Sequence, residues 1–418
     1  MPSGDPWQAT RADAFVDSIG VNTHVGYGDS PYGDVEGLLG PSLKYLGVRH
    51  IRDGLADDDF MLKPYRQLRA LGIGVTGIVP YQIDALPALL QSIRAQRDVL
   101  EAVEGPNETD LFTQFRYLGQ PYPAGTVAFM KDFYPAIKAD PALQHLPVLQ
   151  TTLAFPGAAA GQGTRADLLG DLSAFADYGN SHNYFAFGEP PGPVIREEHL
   201  PLNTAITPGK PMMSSEGGYQ MGRGDGYKGT WNDGQAAPFA EAVHGRYLLR
   251  YLLEQYRQGY RRSFVYELLD TDQPQWGLFR ADGTPRPAAS GIRNLIQQLS
   301  EGRLNPDTGR WTTPDFAPGR LDYRLSGQLT NVHSLLLQRS SGAYYLVLWN
   351  EVNNWNVTTG APIYPPPAQV ELSLAQPVRQ LQTFLPLTRG ATPTATFTTA
   401  PLRVEVPDHP VVVKIELK

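Results

Sequence analysis

The order in which short and long segments follow one another constrains this chain more than any single residue. Up to about residue 300, β-rich segments alternate with helical ones, eight times over. The first strand is Ser18-Ile19-Gly20-Val21-Asn22-Thr23-His24, with a helix expected near 35–46. The second is Val48-Arg49-His50-Ile51-Arg52, followed by a helix near 60–71. The third runs from Ile73 to Val79, stops at Pro80-Tyr81 and precedes a helix from Leu86 to Arg97. The fourth leads to Glu108, with its helix near 125–139, and the fifth, Val148 to Leu153, precedes a helix near 164–176. The sixth ends Ser181-His182-Asn183-Tyr184 and the seventh leads to Glu216. The eighth is Ser263-Phe264-Val265-Tyr266-Glu267, with a last helix from about 287 to 300. Repeated β-then-α units give parallel strands joined by right-handed crossovers. Eight of them predict a closed (β/α)8 TIM barrel rather than an open sheet. No Gly-x-Gly-x-x-Gly follows the first strand, which disfavours a dinucleotide fold.

After residue 301 helical periodicity stops. Alternating segments such as Ser334-Leu335-Leu336-Leu337-Gln338, Tyr344-Tyr345-Leu346-Val347-Leu348-Trp349 and Val411-Val412-Val413-Lys414-Ile415 lie between Pro- and Gly-rich turns. These predict a β-sandwich. The expected division is a catalytic barrel over 1–301 and a sandwich over 302–418, the latter packed on the barrel with its first strand borrowed from the linker.

Composition narrows the partners. The net charge of −7 is spread along the chain, with no Lys/Arg cluster to suggest nucleic acid. No apolar run approaches the ~18 residues of a membrane span. The absence of cysteine excludes disulfides, thiol nucleophiles and Cys-ligated zinc. The opening Met1-Pro2-Ser3-Gly4-Asp5-Pro6 lacks a basic stretch followed by an apolar one. The expectation is a secreted or periplasmic protein whose signal has been removed, with a cytosolic one as the alternative. The 21 Tyr and 6 Trp suit stacking on sugar rings.

Two of the strands run into glutamates. One stretch reads Val103-Glu104-Gly105-Pro106-Asn107-Glu108, the other Met212-Met213-Ser214-Ser215-Glu216-Gly217-Gly218. A carboxylate at the C-terminal end of a barrel strand lies at the mouth, where barrel enzymes do their chemistry. Two facing each other are what cleavage of a glycosidic bond needs, one as acid and one as base or nucleophile. Singly, each is equally a loop carboxylate capping a helix.

Around them stand the candidate substrate-binding residues. Asn107 could donate to a sugar hydroxyl. Arg52, ending the second strand, would keep Glu216 ionised, or else pair with Asp53 or Asp57. His182 and Tyr184 alternate and so share a face, where the tyrosine could donate to a carboxylate; a core His and Tyr is the competing reading. His24 could line the same mouth, and one of Tyr266 and Glu267 should face inward. Tyr81, Trp231 and Trp276 are candidate stacking platforms, although loop packing is the commoner role for such rings.

Together Gly105-Pro106-Asn107-Glu108, Ser215-Glu216-Gly217, Arg52 and His182-Asn183-Tyr184 resemble clan A of the retaining glycoside hydrolases. In that clan the acid/base lies on strand four and the nucleophile on strand seven. The barrel followed by a sandwich looks most like glycoside hydrolase family 39. Many clan members carry Trp where this chain has Tyr266-Glu267. The resemblance implies a retaining β-glycosidase acting on an oligo- or polysaccharide, with Glu108 as acid/base, Glu216 as nucleophile and no cofactor. A non-catalytic carbohydrate-binding barrel is the rival from another class. A metal-dependent hydrolase using His24, His50, His182 and Asp53 is a third reading. Its histidines are scattered and no His-x-His pair ends the first strand, so no metal site is assigned.

Overall fold

Parallel pairing runs through all eight short strands of the first three hundred residues in the computed structural model. The structure describes the chain except residues 1–4, 57, 84, 159–160, 162, 186–187, 222–240, 272–275, 357 and 360. The barrel strands are β1 (Ile19–Asn22), β2 (His50–Gly54), β3 (Gly74–Ile78), β4 (Leu100–Glu104), β5 (Val148–Leu149), β6 (Gly179–Tyr184), β7 (Met212–Gly218) and β8 (Ser263–Val265). Their order in the sheet is β5-β4-β3-β2-β1-β8-β7-β6. A parallel bridge between Leu149 and Tyr178 joins the two ends, and Gln150 N donates to Tyr178 O at 3.0 Å. The sheet is therefore a closed barrel.

Local chemistry sets the helix limits. Asp58 caps Asp59–Ala70 by accepting from the N–H groups of Phe60 and Met61. Thr164 and Asp167 form a capping box that starts Arg165–Leu169. That helix stops at Gly170, φ 65°, and a short turn at Ser173–Phe175 replaces the rest of the helix expected to 176. The first and fifth strands are shorter than expected. Thr151 and Thr152 continue past β5 with their hydroxyls committed to the loop after β4: Thr151 Oγ1 donates to Pro106 O and Thr152 Oγ1 accepts from Glu108 N.

A helix that the sequence does not announce, Glu241–Arg257, follows β7. Its buried positions include Arg250 and Glu254 as well as leucines and tyrosines, so no clean apolar stripe marks it. It is buried on both sides because the C-terminal sheets cover it. Arg250 donates to Asn350 O and Val352 O, and Trp349 Nε1 donates to Glu254 Oε1 at 3.0 Å.

Beyond the last barrel helix, Pro287–Leu299, strands resume at Arg303–Asn305. A three-stranded sheet (Tyr323–Gly327, Ala368–Leu374, Leu402–Val406) faces a six-stranded one. Leu336, Leu346, Leu348 and Val413 on the larger sheet pack against Val370, Leu372 and Val404 on the smaller. Alternate residues Leu335, Leu337, Tyr345, Val347 and Trp349 turn the other way and join the barrel core. Tyr344–Asn350 is consequently buried along its whole length. The borrowed strand comes from the opposite end of the chain from the one expected: Thr10–Arg11, not the linker, pairs in parallel with Leu337–Gln338. Among the described residues no helix is long and apolar enough to cross a membrane.

Candidate active site

Strand ends β1 to β8 open into one cavity of about 910 Å³. It is lined by Glu108 and Glu216 and by Asn107, Arg52, His24, His182, Tyr184, Tyr266, Tyr81 and Trp276, all read from the sequence as candidates. Trp231 lies outside the described residues. Glu267 does not line the cavity. It is buried behind the wall, where Tyr32 OH donates to it at 3.1 Å and His24 Nε2 lies 3.3 Å away. Of the last pair on the eighth strand, Tyr266 faces inward.

Glu108 does not end a strand. β4 stops at Glu104, and Gly105-Pro106-Asn107 carries the chain inward over β5. A Cβ on Gly105 would sit 2.8 Å from Thr151 N, so only glycine fits that approach. Glu108 itself has φ 42°, the left-handed region that costs a non-glycine residue about 1–2 kcal/mol. The Thr152 hydroxyl holds its N–H at 3.3 Å, and its carbonyl starts a turn through Leu111 and Phe112.

Glu216 lies within β7, opposite His182 on β6. Its Oε1 accepts from Arg52 Nη1, and its Oε2 from the Tyr184 hydroxyl at 2.5 Å. Burial alone would raise the Glu216 pKa. The positive charges of His182 and Arg52, with the Tyr184 hydrogen bond, outweigh burial and hold it at about 2.

Arg52 is saturated. Its Nε and Nη2 form a two-pronged pair with Glu104 at 2.7 Å each, Nη2 also donates to Asn107 Oδ1 at 2.7 Å, and Nη1 goes to Glu216. Of the alternative partners, Asp57 lies outside the described residues and Asp53 accepts instead from Thr23 Oγ1, Val25 N and Gly54 N. Glu104 is completely buried, and no role for it is legible in the sequence. Leaving one member of such a buried pair alone costs about 3–5 kcal/mol.

His182 stands between the two glutamates. Nδ1 is 2.7 Å from Glu108 Oε1 and 3.5 Å from Glu216 Oε2. Burial would lower its pKa, but the charges of Glu216 and Glu108 raise it above the ordinary histidine value. Ser215, also missed in the sequence, lies 3.2 Å from His182 Nε2 and donates to Glu104 Oε1 at 3.1 Å. Trp276 and Tyr266 meet Tyr184 edge to face, with centroids 5.1 and 6.1 Å away, and bound the pocket beside Glu216.

Glu108, His182 and Glu216 each offer a ligand atom within 4.8 Å of the others, a spacing a metal ion could use. Both Glu216 oxygens already accept hydrogen bonds and Arg52 lies against one of them, so a cation there would displace those contacts. The set His24, His50, His182 and Asp53 does not assemble. His50 pairs with Asp17 and Glu101 at the opposite end of the barrel, 3.1 and 2.6 Å away.

No protein-family model matches this chain, and no curated protein matches it. Solved structures share its fold. A family 39 glycoside hydrolase from Bacteroides cellulosilyticus is similar over 97% of this chain and 82% of its own, with TM-score 0.61 at 12% identity. A glucosidase from Croceicoccus marinus is similar over 100% of this chain and 98% of its own, with TM-score 0.59 at 11% identity. A family 51 α-L-arabinofuranosidase from Bifidobacterium longum is similar over 100% and 98%, with TM-score 0.59 at 12% identity. Its neighbours in fold are thus glycoside hydrolases, and the likeness spans both barrel and sandwich.

Proposed function

We propose that this protein hydrolyses β-glycosidic bonds with retention of configuration. The observation that carries the reading is the approach of the two carboxylates: an oxygen of Glu108 and one of Glu216 lie within 4.8 Å across a shared cavity. Retaining glycosidases hold their carboxyl groups ~5–5.5 Å apart, whereas inverting ones leave ~6.5–9.5 Å for a water. The glycoside hydrolases that share the fold support the same class.

In this reading Glu216, kept ionised by Arg52 and Tyr184, attacks the anomeric carbon. The bond from that carbon to the leaving oxygen breaks, and Glu108 delivers its proton to the departing oxygen. The resulting glycosyl ester on Glu216 is then attacked by water, whose proton returns to Glu108, and Glu216 leaves as a carboxylate. Every step uses side chains and water. Asn107, turned toward the cavity beside Glu108 and fixed by Arg52, serves to hold a sugar hydroxyl. A non-catalytic binding barrel would have no need to hold one carboxylate ionised and set a second beside it.

The test is a screen of aryl glycosides and polysaccharides for released reducing ends, followed by trapping with a 2-fluoro glycoside of the active sugar. Mass spectrometry should find the sugar on the peptide containing Glu216. Labelling elsewhere, or an inverted product, would reject the assignment.

A further inference from the structure

The cavity has two unlike halves. Around Glu216 it is polar, with His24, Arg52, Tyr184 and Gln220. Between β3 and β5, on the side of Glu108, it is apolar. The described residues lining that half from Ile78 to Pro156 carry polar side chains at Tyr81, Asn107 and Glu108 alone. The rest include Leu111, Phe112, Phe155 and Pro156. Asn107 Nδ2 donates to the Tyr81 hydroxyl at 3.1 Å, and Asn107 Oδ1 is taken by Arg52. The backbone N–H groups of Ala154 and Phe155 are taken by Asp110 at 2.8 and 3.0 Å.

Apart from Glu108, the described side chains of that half offer an incoming molecule one hydroxyl proton, from Tyr81, and one amide hydrogen, from Asn107. A second sugar ring brings several hydroxyls, and those turned onto this wall would lack side-chain partners there. Leu111 and Phe155 are nonetheless 46% and 38% exposed, large apolar side chains left bare at the cavity. The wall is also built onto the acid itself, because Leu111 N and Phe112 N donate to the Glu108 carbonyl at 2.9 and 2.8 Å. Whatever departs with the proton from Glu108 leaves along this wall.

We propose that the leaving group is an apolar alcohol, so that the natural substrate is a glycoside of a hydrophobic aglycone rather than the oligo- or polysaccharide the sequence suggests. The proposal rests on the retaining-glycosidase reading, with Glu108 as the acid.

The n-alkyl glycosides from methyl to octyl share one leaving-group acidity, so rate differences among them report binding. The glycone is first chosen with a panel of 4-nitrophenyl glycosides, and the octyl compound is kept below its micellar concentration. kcat/KM should then rise about tenfold or more from methyl to octyl. It should also exceed that for a disaccharide of the same glycone. Leu111→Asn combined with Phe155→Asn, both at exposed positions, should cut the octyl-to-methyl ratio to about threefold or less. A ratio near one in the wild type, or faster cleavage of the disaccharide, overturns the proposal while leaving the glycosidase reading intact. A ratio that the double variant does not change overturns the assignment to this wall. No turnover on any aryl glycoside overturns the retaining reading, and this proposal with it.

Discussion

Ser215 and His182 meet through Oγ and Nε2 at 3.2 Å, while the serine hydrogen goes to Glu104. A hydroxyl whose hydrogen is already given to a carboxylate can only accept, so His182 keeps a proton on Nε2. Nδ1 and Glu108 Oε1, 2.7 Å apart, would repel as two bare acceptors, and they hold one further proton between them. On the proposed reading, that proton is the one delivered to the leaving group. Glu104, Ser215 and His182 therefore form a line of contacts that reaches Glu108 from behind.

Ser215→Ala removes the acceptor for the His182 Nε2 proton. Protonated His182 then loses a partner, so its raised pKa should fall and the basic limb of the kcat/KM profile should move downward, with a fall of about tenfold at the optimum. The full pH–rate profile checks this. A uniform fall with the limb unmoved would show that Ser215 acts only by packing.

The two glutamates should separate chemically. On the proposed reading Glu216 forms the glycosyl ester, so Glu216→Gln should reduce turnover of every substrate by about four orders of magnitude or more. Glu108→Ala should fail mainly on poor leaving groups and accumulate its glycosyl-enzyme on activated aryl glycosides. Azide should rescue Glu108→Ala and give a product that keeps the substrate's anomeric configuration. Rescue of Glu216→Gln instead would mean the roles are reversed.

Tyr184→Phe deletes the hydroxyl that donates to Glu216 Oε2 at 2.5 Å. That bond is one of the influences holding the Glu216 pKa at about 2, so its loss raises the value. Since Glu216 must be ionised to attack, the acid limb of kcat/KM should move to higher pH. An unmoved acid limb would remove Tyr184 from the control of the nucleophile.

At the far end of the barrel Asp17, Glu101 and Arg262, partly exposed, form a charged layer around buried His50. Burial would raise the Glu101 pKa, but His50, Arg262 and Arg69 lower it to about 2. A carboxylate depressed in the folded state contributes stability above its unfolded value of 4.5, and that contribution is lost as pH falls toward 2. For Glu101 this amounts to on the order of 3 kcal/mol. His50, whose pKa is raised, contributes in the opposite sense: its share is present below the unfolded value of 6.5 and is lost as pH rises through the folded one. Melting curves at pH 3 and pH 6 should show Glu101→Gln losing less stability on acidification than the wild type.

The carboxylates of the site were legible because each follows an apolar run that ends in Gly, Pro or polar residues. His182 and Tyr184 were legible because alternation on β6 puts them on one face, and both reach Glu216, at 3.5 and 2.5 Å. What escaped depends on how strands pair. Between β6 and β7, Ser181 faces Ser214 but His182 faces Glu216, so Ser215 is an extra residue on one strand. That shift lets Ser215 and Glu216 both turn inward, where strict alternation would send one outside. A similar shift opposite β3, from Leu100 to Ala102, makes Glu101 the extra residue. Glu101, Glu104 and Glu108 then go to the barrel's far end, the Arg52 pair and the cavity. Gly105-Pro106-Asn107 sets Glu108 apart, but nothing local separates Glu101 from Glu104. Which of Tyr266 and Glu267 faces inward is not legible for a related reason: β8 stops at Val265, and the phase of the chain beyond it is set by contacts with Tyr32 and His24.

The parallel pairing of Thr10 with Leu337 ties together segments roughly 330 positions apart in the chain. During synthesis the early segment emerges long before the strand it will cover. The barrel strands can pair as they appear, but the rim of the later sheet stays bare until a stretch already made swings back to it. The edge of the later sheet thus depends on an element made near the beginning, and a bulky fusion placed just before Thr10 should be felt first in the sandwich rather than in the barrel to which that stretch is adjacent in sequence.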